Sequence, residues 1–360
     1  RMRQHKSSED LTQIRDDLWR SQCNCAYWHG IFGGLYMPHL RHAVYEHLLQ
    51  AEVRLNGVSS GVGIRSEDVD LDGLEELEVT TPLLKAFVTP RGGALCELDY
   101  LPARFNVMNT LRRYPESYHR KVDQSSVQEE TTGSIHDVVH VKEPGLKDYL
   151  MVDTSARHSL LDRFFDLNSS VKELAQGKIQ DQGTFDRQLF EVNTESDSII
   201  LSGQGIAFGQ AFEVIKKISI QESILRFKVQ VGHLGNQPVG GLYAIEFNFS
   251  LLGGHTDDRY YVVNGADDSK AHLDMMDQLE EVSSLALITE WEGLAIQLQF
   301  PTPTTVWRYP VQTVSSSESG FEKIYQSSAV LPVYNLKLSP GEKFSTTLDL
   351  ELGSFDQSKC

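Results

Sequence analysis

Apolar residues divide the chain into two unequal parts. In the first part they recur at helical spacing: Leu11, Ile14 and Leu18 follow Ser8, a residue suited to an N-cap. Pro38 then stands where a first-turn proline is tolerated, and Leu40, Val44, Leu48, Ala51 and Leu55 form one stripe. The pattern predicts two short helices joined by a loop from Ser21 to Tyr36. Such a pair cannot bury a core of its own and needs a surface to pack on. From Gly57 to Gly63 the composition turns to Gly, Ser and Asn, which reads as a linker between residues 1–58 and 59–360.

Beyond the linker, period-two alternation takes over. Leu225, Phe227, Val229 and Val231 face one way while Arg226, Lys228 and Gln230 face the other. Leu294, Ile296, Leu298 and Phe300 repeat the pattern, as do Phe344, Thr346, Leu348, Leu350 and Leu352. Leu83–Val88, Ser198–Leu201, Tyr243–Leu251 and Thr305–Tyr309 add further strands. Half-buried strands punctuated by Gly, Pro and Asn predict antiparallel sheets packed as a sandwich. No repeat of fixed period is present, which argues against a propeller or solenoid. The expected fold is mainly β, with a short helical lead-in.

Composition narrows the partners. Among 360 residues, 33 basic and 50 acidic side chains give a net charge of −17, which repels a phosphate backbone and argues against nucleic acid. No run approaches the roughly eighteen apolar residues of a membrane-spanning helix, so no membrane partner is expected. The four cysteines, Cys23, Cys25, Cys96 and Cys360, are too few for a disulfide scaffold and lack C-x-x-C spacing. They read as reduced thiols, which fits a cytoplasmic location. The N-terminal stretch has basic residues but no apolar segment of a signal peptide. Arg1 is not an initiator residue, so an upstream part is expected to be missing.

The densest candidate chemistry lies in QCNCAYWHGIFGGLY, Gln22 to Tyr36. Aromatic rings offer sugars a flat apolar platform, an imidazole or Asn amide gives directional hydrogen bonds, and glycines allow close approach and positive φ. The competing reading is that Trp28 and Phe32 plug the helices into a neighbouring core. A Cys25–His29 nucleophile pair has little support, because such pairs are assembled from distant segments.

A second feature is Asp68-Val-Asp70-Leu-Asp72-Gly73-Leu74-Glu75-Glu76. Alternating carboxylates followed by glycine suit a loop that curls around Ca²⁺. Asp68, Asp70 and Asp72 would offer side chains, Leu74 its carbonyl, and Glu76 a further ligand. The twelfth position is Val79, so an EF-hand is absent and a structural calcium loop competes with a plain acidic turn. No organic cofactor is expected. His136 and His140 share one face of a strand but lack a third ligand, while Glu246, Glu318 and Glu322 are acids whose separation the sequence does not give.

The stretch RSQCNCAYWHGIFGGLYMPHLRHAVYEHLLQAE resembles the last signature of glycoside hydrolase family 57, which includes α-amylases and 4-α-glucanotransferases. GGALCELDY, SIHDVVHVKE, EFNFSLLGG and VWRYPVQTVSSSESGFEKIYQ resemble its C-terminal domain. The resemblance implies a galactose-mutarotase-like antiparallel supersandwich, preceded by the helical tail of a (β/α) barrel module. It implies an α-glucan or maltooligosaccharide substrate. Both catalytic carboxylates would lie upstream, in a barrel of the same polypeptide, leaving no catalytic residue here. It places Tyr27, Trp28 and His29 along a sugar cleft, with Asn24 beside them. Cys25 stands where the glucanotransferase version carries Asp, and a neutral thiol holds a sugar hydroxyl poorly. A non-catalytic carbohydrate-binding or structural module, and an aldose epimerase by analogy of fold alone, are the other readings.

Overall fold

The computed structural model describes residues 7–29, 33–57, 59–124, 145–317 and 320–355. The first helix, α1 (Ser8–Arg20), is capped by Ser7 rather than Ser8: the Ser7 hydroxyl accepts from the Asp10 N–H, and the Asp10 carboxylate accepts from the Ser7 N–H. Helix α2 (Pro38–Asn56) starts on its proline and stops at Gly57, whose φ is 72°. The contact between the helices is polar. Asp17, buried on α1, accepts from Arg54 at 2.7 Å and lies 3.1 Å from His47 Nδ1. That pairing turns Leu11 and Leu18 outward, so the apolar stripe expected to seek a core is exposed.

Five strands form a small antiparallel sheet in sequence order: β1 (Gly63–Glu67), β2 (Glu76–Thr80), β3 (Leu84–Thr89), β4 (Ala94–Tyr100) and β5 (Phe105–Asn106). Leu77, Val79, Leu84, Ala86, Val88 and Leu98 send one face into the main core. Of the alternate positions, Lys85, Glu97 and Asp99 meet α2 instead, while Glu78 pairs with Arg65 and Lys85. Tyr45 donates to Glu97 at 3.0 Å, Lys85 to Glu52 at 2.5 Å, and the His42 ring packs 4.5 Å from Phe105. This sheet is the surface that the helical pair needs.

A short helix, α3 (His119–Gln124), leads on to the large sheet. Its strands are β6 (Leu161–Phe165), β7 (Glu191–Thr194), β8 (Ser198–Ala207), β9 (Gln210–Ile220), β10 (Ile224–His233) and β11 (Val239–Phe249). The series continues with β12 (Arg259–Val263), β13 (Ala266–His272), β14 (Asp277–Thr289), β15 (Leu294–Ser317), β16 (Gly320–Leu338) and β17 (Lys343–Ser354), and helix α4 (Val171–Ala175) follows β6. One layer runs β7-β8-β9-β10-β17-β15-β14-β12-β13; the other pairs β6, β11 and β16 and rejoins β15. Strand β15 belongs to both, pairing with β17 over Leu294–Gln299 and with β16 over Thr305–Ser317. The exposed prolines Pro301 and Pro303, which donate no ladder hydrogen bond, mark the crossing, and the register of β14 shifts beside them near Glu281 (φ 54°). The two separate strands expected at Leu294–Phe300 and Thr305–Tyr309 are therefore one bent strand.

Phe227 of β10 packs 5.9 Å from Phe247 of β11 across the interior. Lys216 on β9 is fully buried, yet its ammonium donates to the carbonyls of Gly92, Gly93 and Leu160 and meets Asp162 at 2.7 Å. Asp162 also accepts from Tyr243 at 2.6 Å, so this knot ties the small sheet to both layers. No helix among the described residues is long and apolar enough to cross a membrane.

Candidate functional site

The loop between α1 and α2 is built from two 3₁₀ turns, Asn24–Ala26 and Gly34–Tyr36. Gly34 has φ 53°, and a Cβ there would collide with the Trp28 carbonyl oxygen, which accepts from the Leu35 N–H at 3.0 Å. This closure pushes the aromatic tip outward: Tyr27 is 65 % and Trp28 56 % exposed. Trp28 is thus no core plug, while Phe32 lies outside the described residues. Tyr27 is fixed by donating its hydroxyl to the Ser21 carbonyl at 2.6 Å. Asn24 and Cys25 are exposed beside it, the Cys25 thiol facing Asn24 Oδ1 at 3.7 Å.

His29 is turned inward. Its ring stacks on Tyr118 with centroids 4.8 Å apart at 30°, and meets the edge of Tyr36 at 5.3 Å. Its Nε2 is shielded from solvent and has no hydrogen-bond partner among the described residues. Cys25 and His29 therefore keep different company, and nothing joins them as a nucleophile pair. Under the loop, Tyr36 donates to Glu116, with burial and that carboxylate pushing the phenol well above its usual range. Burial likewise raises Tyr118, to about 12.

A buried arginine anchors this arrangement. Arg41 of α2 donates to the Leu35 carbonyl, to Asn109 and to Gln326 Oε1, while Gln326 Nε2 donates to the Tyr36 carbonyl at 2.9 Å. Glu116, Tyr118 and Gln326 are remote from the loop in sequence, and no motif nominates them. The one visible trace is the aromatic and charged density of RRYPESYHR, Arg112 to Arg120.

In the acidic turn, Asp68, Asp70 and Glu76 converge, with ligand oxygens within 4.8 Å of one another. Asp68 Oδ1 is buried without a partner, and burial together with Asp70 raises Glu76. Asp72 turns away: it faces Arg91 at 3.4 Å and accepts from the Leu74 N–H at 2.8 Å. Three carboxylates and an unsatisfied oxygen suit a hard cation.

Glu246 is no free acid. Burial pushes its carboxyl up, but Arg163 at 2.6 Å and Arg157 at 2.9 Å, with Asn248, outweigh burial and hold it at about 2. A carboxylate so firmly ionised and paired with two arginines is a poor proton donor and a weak base. His136, His140 and Glu318 lie outside the described residues. Glu322 sits on β16, opposite Ser315 of β15.

Comparison with known proteins decides the family. The family described as alpha-amylase/4-alpha-glucanotransferase, C-terminal, matches residues 68–348, and the middle domain of the same description matches residues 1–55. The chain belongs to the α-amylase/4-α-glucanotransferase family, glycoside hydrolase family 57. Alpha-amylase 1 of Dictyoglomus thermophilum is 31 % identical over 350 residues, 95 % of this chain and 49 % of that protein. The 4-alpha-glucanotransferase of Thermococcus kodakarensis is 26 % identical over 327 residues, 89 % of this chain and 45 % of that one. The chain thus spans about half the length of the curated relatives it matches. In fold it is similar to the 4-alpha-glucanotransferase from Thermococcus litoralis (TM-score 0.75, 22 % identity, covering 96 % of this chain and 47 % of that one). It is also similar to a galactose mutarotase-like protein from Clostridium acetobutylicum (TM-score 0.51, 8 % identity, covering 82 % of this chain and all of that one). The mainly β, galactose-mutarotase-like architecture expected for this family is the one observed.

Proposed function

We propose that this chain is the C-terminal region of a retaining α-1,4-glucan hydrolase or 4-α-glucanotransferase, and that its aromatic loop binds sugar. Family membership supports the substrate class. The observation that carries the loop's role is the outward presentation of Tyr27 and Trp28, 65 % and 56 % exposed, on a backbone closed by Gly34. Asn24 and Cys25, both exposed, complete the sugar-facing segment, and His29 supports it from beneath. The catalytic carboxylates belong to an upstream barrel of the same polypeptide, consistent with relatives about twice this length. There a glycosyl-enzyme intermediate would be resolved by water or by a sugar hydroxyl. Exposed free thiols at Cys23 and Cys25 favour a reducing compartment, the cytoplasm.

The test is saturable binding of maltoheptaose by the chain, lost in Trp28→Ala, with no redistribution of maltooligosaccharides. Binding that survives Trp28→Ala, or turnover by this chain alone, defeats the reading.

We also propose that Asp68, Asp70 and Glu76 hold a structural calcium ion. A ligand specific to the folded state raises stability. Calcium should therefore raise the thermal midpoint of chelator-treated protein, and Asp68→Asn should abolish the rise. An unchanged midpoint makes the segment a turn only.

A further inference from the structure

We infer that Tyr118 is a positioning residue for the aromatic loop, so that the sandwich, and not the loop alone, sets the geometry presented to sugar. The inference rests on the glucan reading above.

The loop's own bonds fix its backbone and Tyr27, through Tyr27 to the Ser21 carbonyl and Leu35 N–H to the Trp28 carbonyl, but not the His29 ring. Gly33 and Gly34 take positive φ, at 94° and 53°, and Tyr27 and Trp28 stand in solvent. What immobilises its inner end comes from residues far along the chain. The His29 imidazole lies against the face of Tyr118, and Tyr118 in turn packs 5.9 Å from Phe321 at 31°, so three rings run in series from the loop to β16. Tyr118 is itself held, its hydroxyl donating to the Val314 carbonyl of β15 at 3.3 Å. The neighbouring His119 uses both nitrogens: Nδ1 accepts from the Glu116 N–H at 3.1 Å, and Nε2 lies 3.0 Å from the same Val314 carbonyl. That fixes Glu116, which receives the Tyr36 hydroxyl at the loop's far end. The segment Glu116–His119 therefore grips the loop at its middle, His29, and at its last residue, Tyr36, while resting on one carbonyl of the sandwich.

Such an arrangement pre-organises a binding surface, and pre-organisation strengthens binding by removing ordering cost rather than by adding contact. Tyr118 need not touch the sugar. Its ring matters and its hydroxyl much less, because the stack is formed by the face.

The experiment uses the whole chain with Tyr118→Phe, Tyr118→Leu and Trp28→Ala. Maltoheptaose affinity is measured by calorimetry, and the His29 ring protons are followed by NMR, since protons over an aromatic face are shifted upfield. Tyr118→Phe should bind within about twofold of the parent. Tyr118→Leu, which keeps apolar bulk and so keeps the fold, should bind roughly tenfold more weakly, the scale of one lost ring pair. Its His29 signals should move downfield. If Tyr118→Leu binds like the parent with unmoved His29 signals, the positioning role is overturned, whatever Trp28→Ala does. If the parent binds no glucan but His29 still shifts in Tyr118→Leu, the glucan reading fails while Tyr118 still orders the loop.

Discussion

Two buried carboxyls, Glu246 and Asp99, sit in sheets of the same molecule and are held in opposite states. Glu246, 3 % exposed, lies between Arg157 and Arg163, which reach on to Asp153 and Asp181. Asp99 is fully buried beside the Glu97 carboxyl. Burial first, and the adjacent Glu97 next, push its carboxyl well above the usual range, with Lys85 opposing. Around it Glu52 of α2 and Glu97 of β4 outnumber the single cation, Lys85 of β3. Burial raises the cost of charge in both places, and the partners alone decide which group keeps it. An acid in a sheet is therefore not a candidate catalyst until its neighbours are known.

The largest effect should come from breaking the Glu246 site. Arg163→Met leaves Glu246, Asp181 and Asp186 short of a cation, and should cost about 3–5 kcal/mol in urea unfolding. A loss below about 1 kcal/mol would mean that the network is solvated. Next comes acid. Glu246 has a folded pKa of about 2, below its unfolded value of about 4.3, so its stabilisation is complete above the unfolded value and is lost as pH falls through about 2. The acid limb should carry roughly 3 kcal/mol from this group, absent in Glu246→Gln once the baseline cost of that change is subtracted.

Asp99 should show the reverse sign and the smallest effect. Its raised folded pKa stabilises the protein fully below the unfolded value of about 3.9, and that contribution is lost as pH rises from there through the folded value. Asp99→Asn should be within about 1 kcal/mol of the parent at the low-pH end of that window and should flatten the fall of stability with rising pH. An unchanged slope would mean that Asp99 is not the group that holds the proton.

Much of the architecture was legible. Alternation located β10, β17 and the first half of β15, because one face of each meets the core and period two follows directly, whereas β3 and β11, buried at nearly every position, read as apolar runs. Helical spacing located α1 and α2 but misjudged what α1 does with its stripe, since an ion pair to Asp17 leaves no trace in apolar periodicity. Glu97 and Asp99 alternate with core residues, and nothing in that alternation shows that Asp99 is buried and Glu97 half-buried. At the loop, Tyr27 and Trp28 could be singled out because aromatic density with glycines is local. Tyr118, Glu116, Arg41 and Gln326 could not, because their role is a meeting of distant segments.

The bend of β15 at Pro301 and Pro303 bears on how the molecule comes apart. A single strand hydrogen-bonded into both layers couples their fates: releasing either layer strips one flank of the same backbone and loads the other. The sandwich is thereby expected to exchange its amide hydrogens as one cooperative unit. A chain cut between residues 300 and 304 would remove that covalent link and should let the two layers exchange more independently.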